Sequence, residues 1–173
     1  MNEPIHLTLT GTLQPDQMLT YVHLPFTVPE GVDRIQVAYA YDAMIGSDPG
    51  LTGGNTIDIG LFDPRGIHFL NTGYRGWSGS ARREFVVGRK EATPGYMPGP
   101  IFAGIWHICL GAYKVADEGC HYQVNIDLYP AFDSSQVDFP ERLPLDNAKT
   151  TAASADGWYA GELHCHTVNS DGE

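Results

Sequence analysis

The chain has 173 residues, enough for one well-filled hydrophobic core. Its formal net charge is −11, from 21 acidic against 10 basic residues; such a surface repels phosphate backbones, so nucleic acid is not an expected partner. No run reaches membrane-spanning length, and Met1-Asn2-Glu3-Pro4 carries neither a basic nor an apolar leader segment, so no membrane partner is expected.

The first run, residues 5–13 (IHLTLTGTL), alternates apolar and polar residues with a period of two, the pattern of a half-buried strand. Tyr21 to Val28 follows and is stopped by Pro29-Glu30-Gly31. Further strands are predicted at Arg34 to Tyr41, Thr56 to Phe62, Glu84 to Val87, Ile105 to Leu110 and Tyr122 to Tyr129. Each run is short, rich in β-branched and aromatic residues, and bounded by Gly, Pro, Asn or Asp. No stretch has a 3.6-residue apolar period. The expected class is therefore all-β, a β-sandwich of jelly-roll-like form over residues 1–132.

Between the strands, Asp63-Pro64-Arg65-Gly66 reads as a turn and Ser47 to Gly54 as a flexible connection. Ala92 to Pro100 is too proline-rich for a helix or a central strand. Tyr74 to Arg83 reads as a loop that holds three of the ten basic residues, Arg75, Arg82 and Arg83. The commoner use of such a cluster is a hairpin whose arginines pair with local acids. The alternative is an anion cradle in which these arginines, with Gly-Ser backbone amides, meet a substrate. His6, His23, His68, His107 and His121 are scattered and read as strand or loop residues, with His107 a hydrogen-bonded structural histidine. Core packing is the commoner use of Trp77, Trp106 and Trp158, with a sugar-binding surface as the alternative. The odd number of cysteines, Cys109, Cys120 and Cys165, without framework spacing, points to a reduced, cytoplasmic setting.

From Pro130 the pattern changes. Residues 133–157 are polar and small, and read as a linker. Residues 158–173 then resume apolar character and end on Gly161-Glu162-Leu163-His164-Cys165-His166-Thr167-Val168-Asn169-Ser170-Asp171-Gly172. In an extended strand, residues i and i+2 share a face, so His164 and His166 project together and Cys165 faces away into packing. A polar turn follows and lets Asp171 swing back. Two imidazoles and a carboxylate suit a divalent transition metal such as zinc, manganese or iron.

This string resembles the first motif of the PHP family of metal-dependent hydrolases (polymerase and histidinol phosphatase domains), in which Leu-His-x-His-Thr is followed by Ser-Asp-Gly. Here Glu162 stands where that family usually has Asp. Residue by residue, the resemblance implies that His164, His166 and Asp171 are metal ligands, in a centre that holds two or three ions when complete. Phe62 to Gly66, the Arg75 to Arg83 loop, Ala92 to Tyr96 and Gly104-Ile105-Trp106 look like the β-sandwich preceding the PHP domain in the CehA/McbA branch of that family. A distorted TIM-like barrel needs on the order of 200 residues or more, so only its first strand is expected in residues 158–173.

Two functions are expected from this reading. The first is the amino-terminal portion of a metal-dependent hydrolase that cleaves a small-molecule phosphoester, ester or carbamate with metal-activated water. In that case the present residues hold no catalytic group beyond the metal ligands and are inactive alone. The second is a non-catalytic β-sandwich that binds a carbohydrate or a protein partner.

Overall fold

The computed structural model describes residues 3–130. Over that span, alternating runs become eight strands: β1 (Ile5–Leu13), β2 (Tyr21–Val28), β3 (Val32–Tyr41), β4 (Thr56–Phe62), β5 (Tyr74–Gly79), β6 (Glu84–Gly88), β7 (Gly104–Lys114) and β8 (Cys120–Pro130). One 3-10 turn, Pro15–Gln17, lies between β1 and β2, and no α-helix occurs among the described residues.

The strands form two antiparallel four-stranded sheets, in the orders β1-β8-β3-β6 and β2-β7-β4-β5. Direct partners are β1 with β8, β2 with β7, β3 with β6 and β4 with β5. The chain is thus one long antiparallel ribbon, turned at β4 and β5 and wound so that β8 also pairs with β3 and β7 with β4. Every connection except β4 to β5 crosses between the sheets. This is the winding of a double-sheet jelly roll.

Alternation supplies the shared interior. The first sheet turns in Leu13, Ile35, Val37, Tyr39, Phe85, Val124, Ile126 and Leu128. The second turns in Phe26, Val28, Ile57, Ile59, Leu61, Trp106, Ile108 and Leu110. Trp106 is fully buried, and its indole N–H donates to the Phe102 carbonyl at 2.8 Å, so the largest core ring carries no unsatisfied donor. The Tyr39 hydroxyl donates to the Ile57 carbonyl at 2.8 Å and fixes one sheet against the other.

Seven of the expected strands coincide with observed ones, most with an extended end. The expected loop from Tyr74 differs: residues 74–79 form β5. Gly76 and Gly79 break the alternation that marks a strand, and both have positive φ, 136° and 56°. The register against β4 shifts between Ile59 and Gly60 and again between Leu61 and Phe62, which absorbs the irregular residues. The segment from Ala92 to Pro100 makes only isolated bridges, as its prolines require, yet it contributes Tyr96 to the core. The Tyr96 ring stacks on Phe85 with centroids 4.0 Å apart.

Because the ribbon closes its core within residues 3–130, a chain ending at residue 132 is expected to melt in one cooperative, β-type transition by circular dichroism. A broad, non-cooperative melt would contradict this. Trp106→Ala should lower its stability by about 3–5 kcal/mol.

Candidate functional site

The two outer faces differ in kind. On the first sheet the outward residues form polar rows. Thr8 pairs across to Asn125, and their side chains hydrogen-bond at 3.0 Å. Thr12 meets His121 at 2.8 Å, and Gln123 donates to Asn125 at 3.1 Å. This is ordinary solvated β-surface.

The outer face of the second sheet is aromatic. Pairing registers align three rows on it. Tyr21, Gly111 and Asp58 make one row; His23, Cys109, Gly60 and Trp77 make the next; Pro25, His107, Phe62 and Tyr74 make the third. Trp77 lies across this face because positions 60 and 111 are glycine. A Cβ at 60 would sit 2.3 Å from the Trp77 ring, and one at 111 would sit 3.0 Å from it. Phe69, from the β4–β5 connection, packs over the layer, with ring centroids 5.0 to 5.7 Å from Tyr21, Phe62, Tyr74 and Trp77. Phe62 and Cys109 are fully buried beneath it although they point away from the main core. Leu19, Tyr21, Leu70 and Tyr113 remain exposed around it.

His23 and His107 stand side by side in this layer, with ring centroids 6.1 Å apart. The Nδ1 atoms of both are buried without a hydrogen-bond partner, so the expected hydrogen-bonded role of His107 is corrected at that atom, where the ring is held by packing. Burial holds both rings below the ordinary histidine range, and the positive fields of His107 and His68 add to this at His23. The Cys109 and Cys120 thiols are free and buried, each pushed up to about 12 by desolvation.

The three sequence-predicted arginines are not brought together. Arg75 and the Arg82-Arg83 pair are separated by most of β5, on the order of 15 Å. Arg75 is only 3% exposed. Its guanidinium reaches the fully buried Asp63 at 3.4 Å and donates to the Met97 carbonyl at 3.0 and 3.2 Å and the Pro100 carbonyl at 2.9 Å. It also lies 5.2 Å from the Trp106 ring centroid. Its donors are turned inward, where they clamp the Met97 to Pro100 loop to the start of β5. Arg65 completes the group with a two-pronged pair to Asp63, at 2.7 and 3.0 Å. Arg83 donates to the Tyr39 and Tyr41 hydroxyls at 3.0 and 3.2 Å. Arg82 is exposed.

At the Asp63 end, Arg65, Arg75, Arg89, Lys90 and the Met97 to Pro100 loop line a cavity of about 710 Å³. Arg89 is held by Asp33 at 2.8 Å. β8 ends at the same end, where Pro130 lies opposite Val32. His164, His166 and Asp171 lie outside the described residues. Among the described residues no three His, Cys, Asp or Glu side chains gather into a group able to hold a metal.

No protein-family model matches the chain, and no curated protein matches it. Among solved structures it is similar to the periplasmic inhibitor of g-type lysozyme PliG from Aeromonas hydrophila. That match has a TM-score of 0.39 and 12% sequence identity, and covers 73% of this chain and 87% of that one. A likeness of that size carries no argument about function.

Two outcomes follow from this geometry. Asp63→Asn leaves the Arg75 charge buried without its counter-ion and should cost about 3–5 kcal/mol in urea denaturation, whereas Arg82→Ala should stay within about 0.5 kcal/mol of wild type. The histidines give a pH signature. A folded pKa below the ordinary 6.5 means that the folded state binds fewer protons, so their contribution to stability is present above about pH 6.5 and is lost as pH falls toward the depressed values. His107→Gln should therefore flatten the acid side of the stability–pH curve relative to wild type. An unchanged acid limb would show that His107 is not held neutral.

Proposed function

We propose that residues 3–130 are the non-catalytic recognition domain of a metal-dependent hydrolase, and that its catalytic part opens with the motif from Gly161 to Gly172. The observation that carries the recognition role is the aromatic outer face of the β2-β7-β4-β5 sheet, beside a polar outer face on the other sheet. A surface rich in Tyr, Trp and Phe, rimmed by exposed apolar residues, is what binding surfaces are made of.

The hydrolase reading rests on the motif's donor set and its place in the chain. The sequence period would put His164 and His166 on one face of an extended strand, Asp171 would add a carboxylate, and the polar composition of residues 133–157 suits a linker. These residues would hold a divalent zinc, manganese or iron ion, with further ligands from a PHP-type barrel. When bound, such an ion lowers the pKa of water and supports hydrolysis of a small-molecule ester or phosphoester. His164 and His166 would supply neutral nitrogen donors, and Asp171 would supply charge that offsets the cation. A cytoplasmic setting belongs to the same proposal.

A binding module without catalysis would use the same aromatic face, so metal content separates the two readings. In the longest natural form of the protein, His164→Ala and His166→Ala should each remove bound metal, measured by elemental analysis, and nearly all hydrolysis of a chromogenic phosphodiester. Cys165→Ala should keep the metal and cost on the order of 1 kcal/mol. A wild-type protein that binds no metal would leave the binding-module reading. Loss of metal in Cys165→Ala with retention in His166→Ala would overturn the strand register of the motif.

A further inference from the structure

Each sheet has two edge strands: β1 and β6 in the first, β2 and β5 in the second. An open edge presents a row of unpaired backbone N–H and C=O groups, and folds protect such rows. The segment from Glu91 to Met97 closes two of them at once. On β5, the Trp77 amide donates to the Gly95 carbonyl at 3.1 Å, and the Arg75 carbonyl accepts from the Met97 amide at 2.8 Å. On β6, the Val86 carbonyl accepts from the Thr93 amide at 2.9 Å, and the Val86 amide donates to the Thr93 hydroxyl at 2.9 Å. The Gly88 amide donates to the Glu91 carbonyl at 2.8 Å. β2 carries Pro25 in its interior, and proline has no N–H to offer a further strand.

β1 has none of these protections. It is nine residues long and contains no proline and no Lys, Arg, Asp or Glu, although the chain carries 21 acidic and 10 basic residues elsewhere. It pairs with β8 along its whole length, and among the described residues no backbone hydrogen bond reaches its other side. Its outward side chains are settled on β8: His6 on Asp127, Thr8 on Asn125 and Thr12 on His121. On the inward face Leu7 and Leu9 pack against the core yet stay half-buried, and Ile5 is 45% exposed. The flank of the sandwich is therefore open at β1 in both its backbone and its apolar surface.

We propose that β1 pairs with β1 of a second copy of this chain, antiparallel about a two-fold axis at Leu9, so that the two first sheets run on as one. The segment is its own complement. The axis sets Thr8 against Thr10, His6 against Thr12, Leu7 against Gly11 and Ile5 against Leu13. Inward apolar residues then continue the inward face, outward polar residues continue the outward one, and the interface is isologous. No two like charges meet along these nine residues, which a chain of formal charge −11 requires of a surface that meets its own copy. Gly11 makes room at the seam. A Cβ there would run into the Tyr122 hydroxyl, so the Tyr122 ring lies over Gly11, and the pairing brings Leu7 of the second copy beside that ring. The inference uses neither the aromatic face nor the metal motif, so it stands or falls apart from the proposed function.

The test is sedimentation velocity of the 173-residue chain from about 5 μM to about 1 mM, with backbone amide exchange followed at both ends of that range. The wild-type chain should pass from monomer to dimer, and the β1 amides should gain protection as concentration rises. A sample mixing isotope-labelled and unlabelled chains should show intermolecular contacts between Thr8 and Thr10. Thr8→Lys combined with Thr10→Lys sets ammonium groups opposite one another across the seam and should weaken the dimer about tenfold. Thr8→Val combined with Thr10→Val keeps the shape and the strand preference and should retain it. Circular dichroism melts report whether each variant folds, and the wild-type contacts decide the claim if the lysine variant does not. A chain that stays monomeric at about 1 mM, a dimer without Thr8–Thr10 contacts, or a folded lysine variant that dimerises as tightly as wild type would each overturn the proposal. So would β1 amides protected equally at every concentration, the result expected if residues beyond 130 of the same chain cover the edge.

Discussion

Strand alternation commits every second residue of β2, β4, β5 and β7 to a face that the main core does not use, and there the chain places Tyr21, His23, Phe62, Tyr74, Trp77 and His107 with glycine at 60 and 111. Those two glycines are the constraint on which the face depends. A Cβ at 60 would collide with the Trp77 ring and displace it, and one at 111 would press tightly against it. Phe69 would then lose one of its supports, and the cover over Phe62 and Cys109 would open. The second sheet is thus apolar on both sides, with an inner layer shared with the first sheet and an outer layer of its own.

The jelly-roll winding holds that layer in register. Because β2 pairs with β7 and β7 with β4, residues 21, 111 and 58 fall in one row although they are distant in sequence. The same winding puts the Asp63, Arg65 and Arg75 cluster at the end where β8 finishes, next to the cavity lined by Arg89 and Lys90. Arg75 serves the fold there: its charge is neutralised by Asp63 and its donors are spent on loop carbonyls and Asp63. Basic residues in an acidic chain draw the eye toward substrate binding, but a buried arginine with this many internal partners is a clamp.

Most of the fold was legible because period-two runs bounded by Gly, Pro, Asn and Asp carry their own signal, as in residues 5–13 and 56–62. β5 was hidden by Gly76 and Gly79, which remove the alternation while their positive φ values allow the bulged pairing. The aromatic face was hidden for a different reason. His23 and His107 are isolated in sequence, and only the β2–β7 ladder brings their rings within 6.1 Å. The inward use of Arg75 was equally invisible, since its partners at 63, 97 and 100 are gathered by tertiary structure. Strict alternation within single strands, such as Asp58-x-Gly60-x-Phe62 and His107-x-Cys109-x-Gly111-x-Tyr113, was the available hint that the outward residues were not the usual polar ones.

The central claim is that the outer side of the second sheet is a built aromatic surface and not a set of independently solvated side chains. The most direct measurement is the proton chemical shift of the Gly60 and Gly111 α positions. With the Trp77 ring against both, ring-current effects should move these signals well away from their random-coil positions, and Trp77→Leu should return them. Random-coil shifts at both glycines in the folded wild-type chain would mean that the indole does not cover them, and the surface described here would not exist.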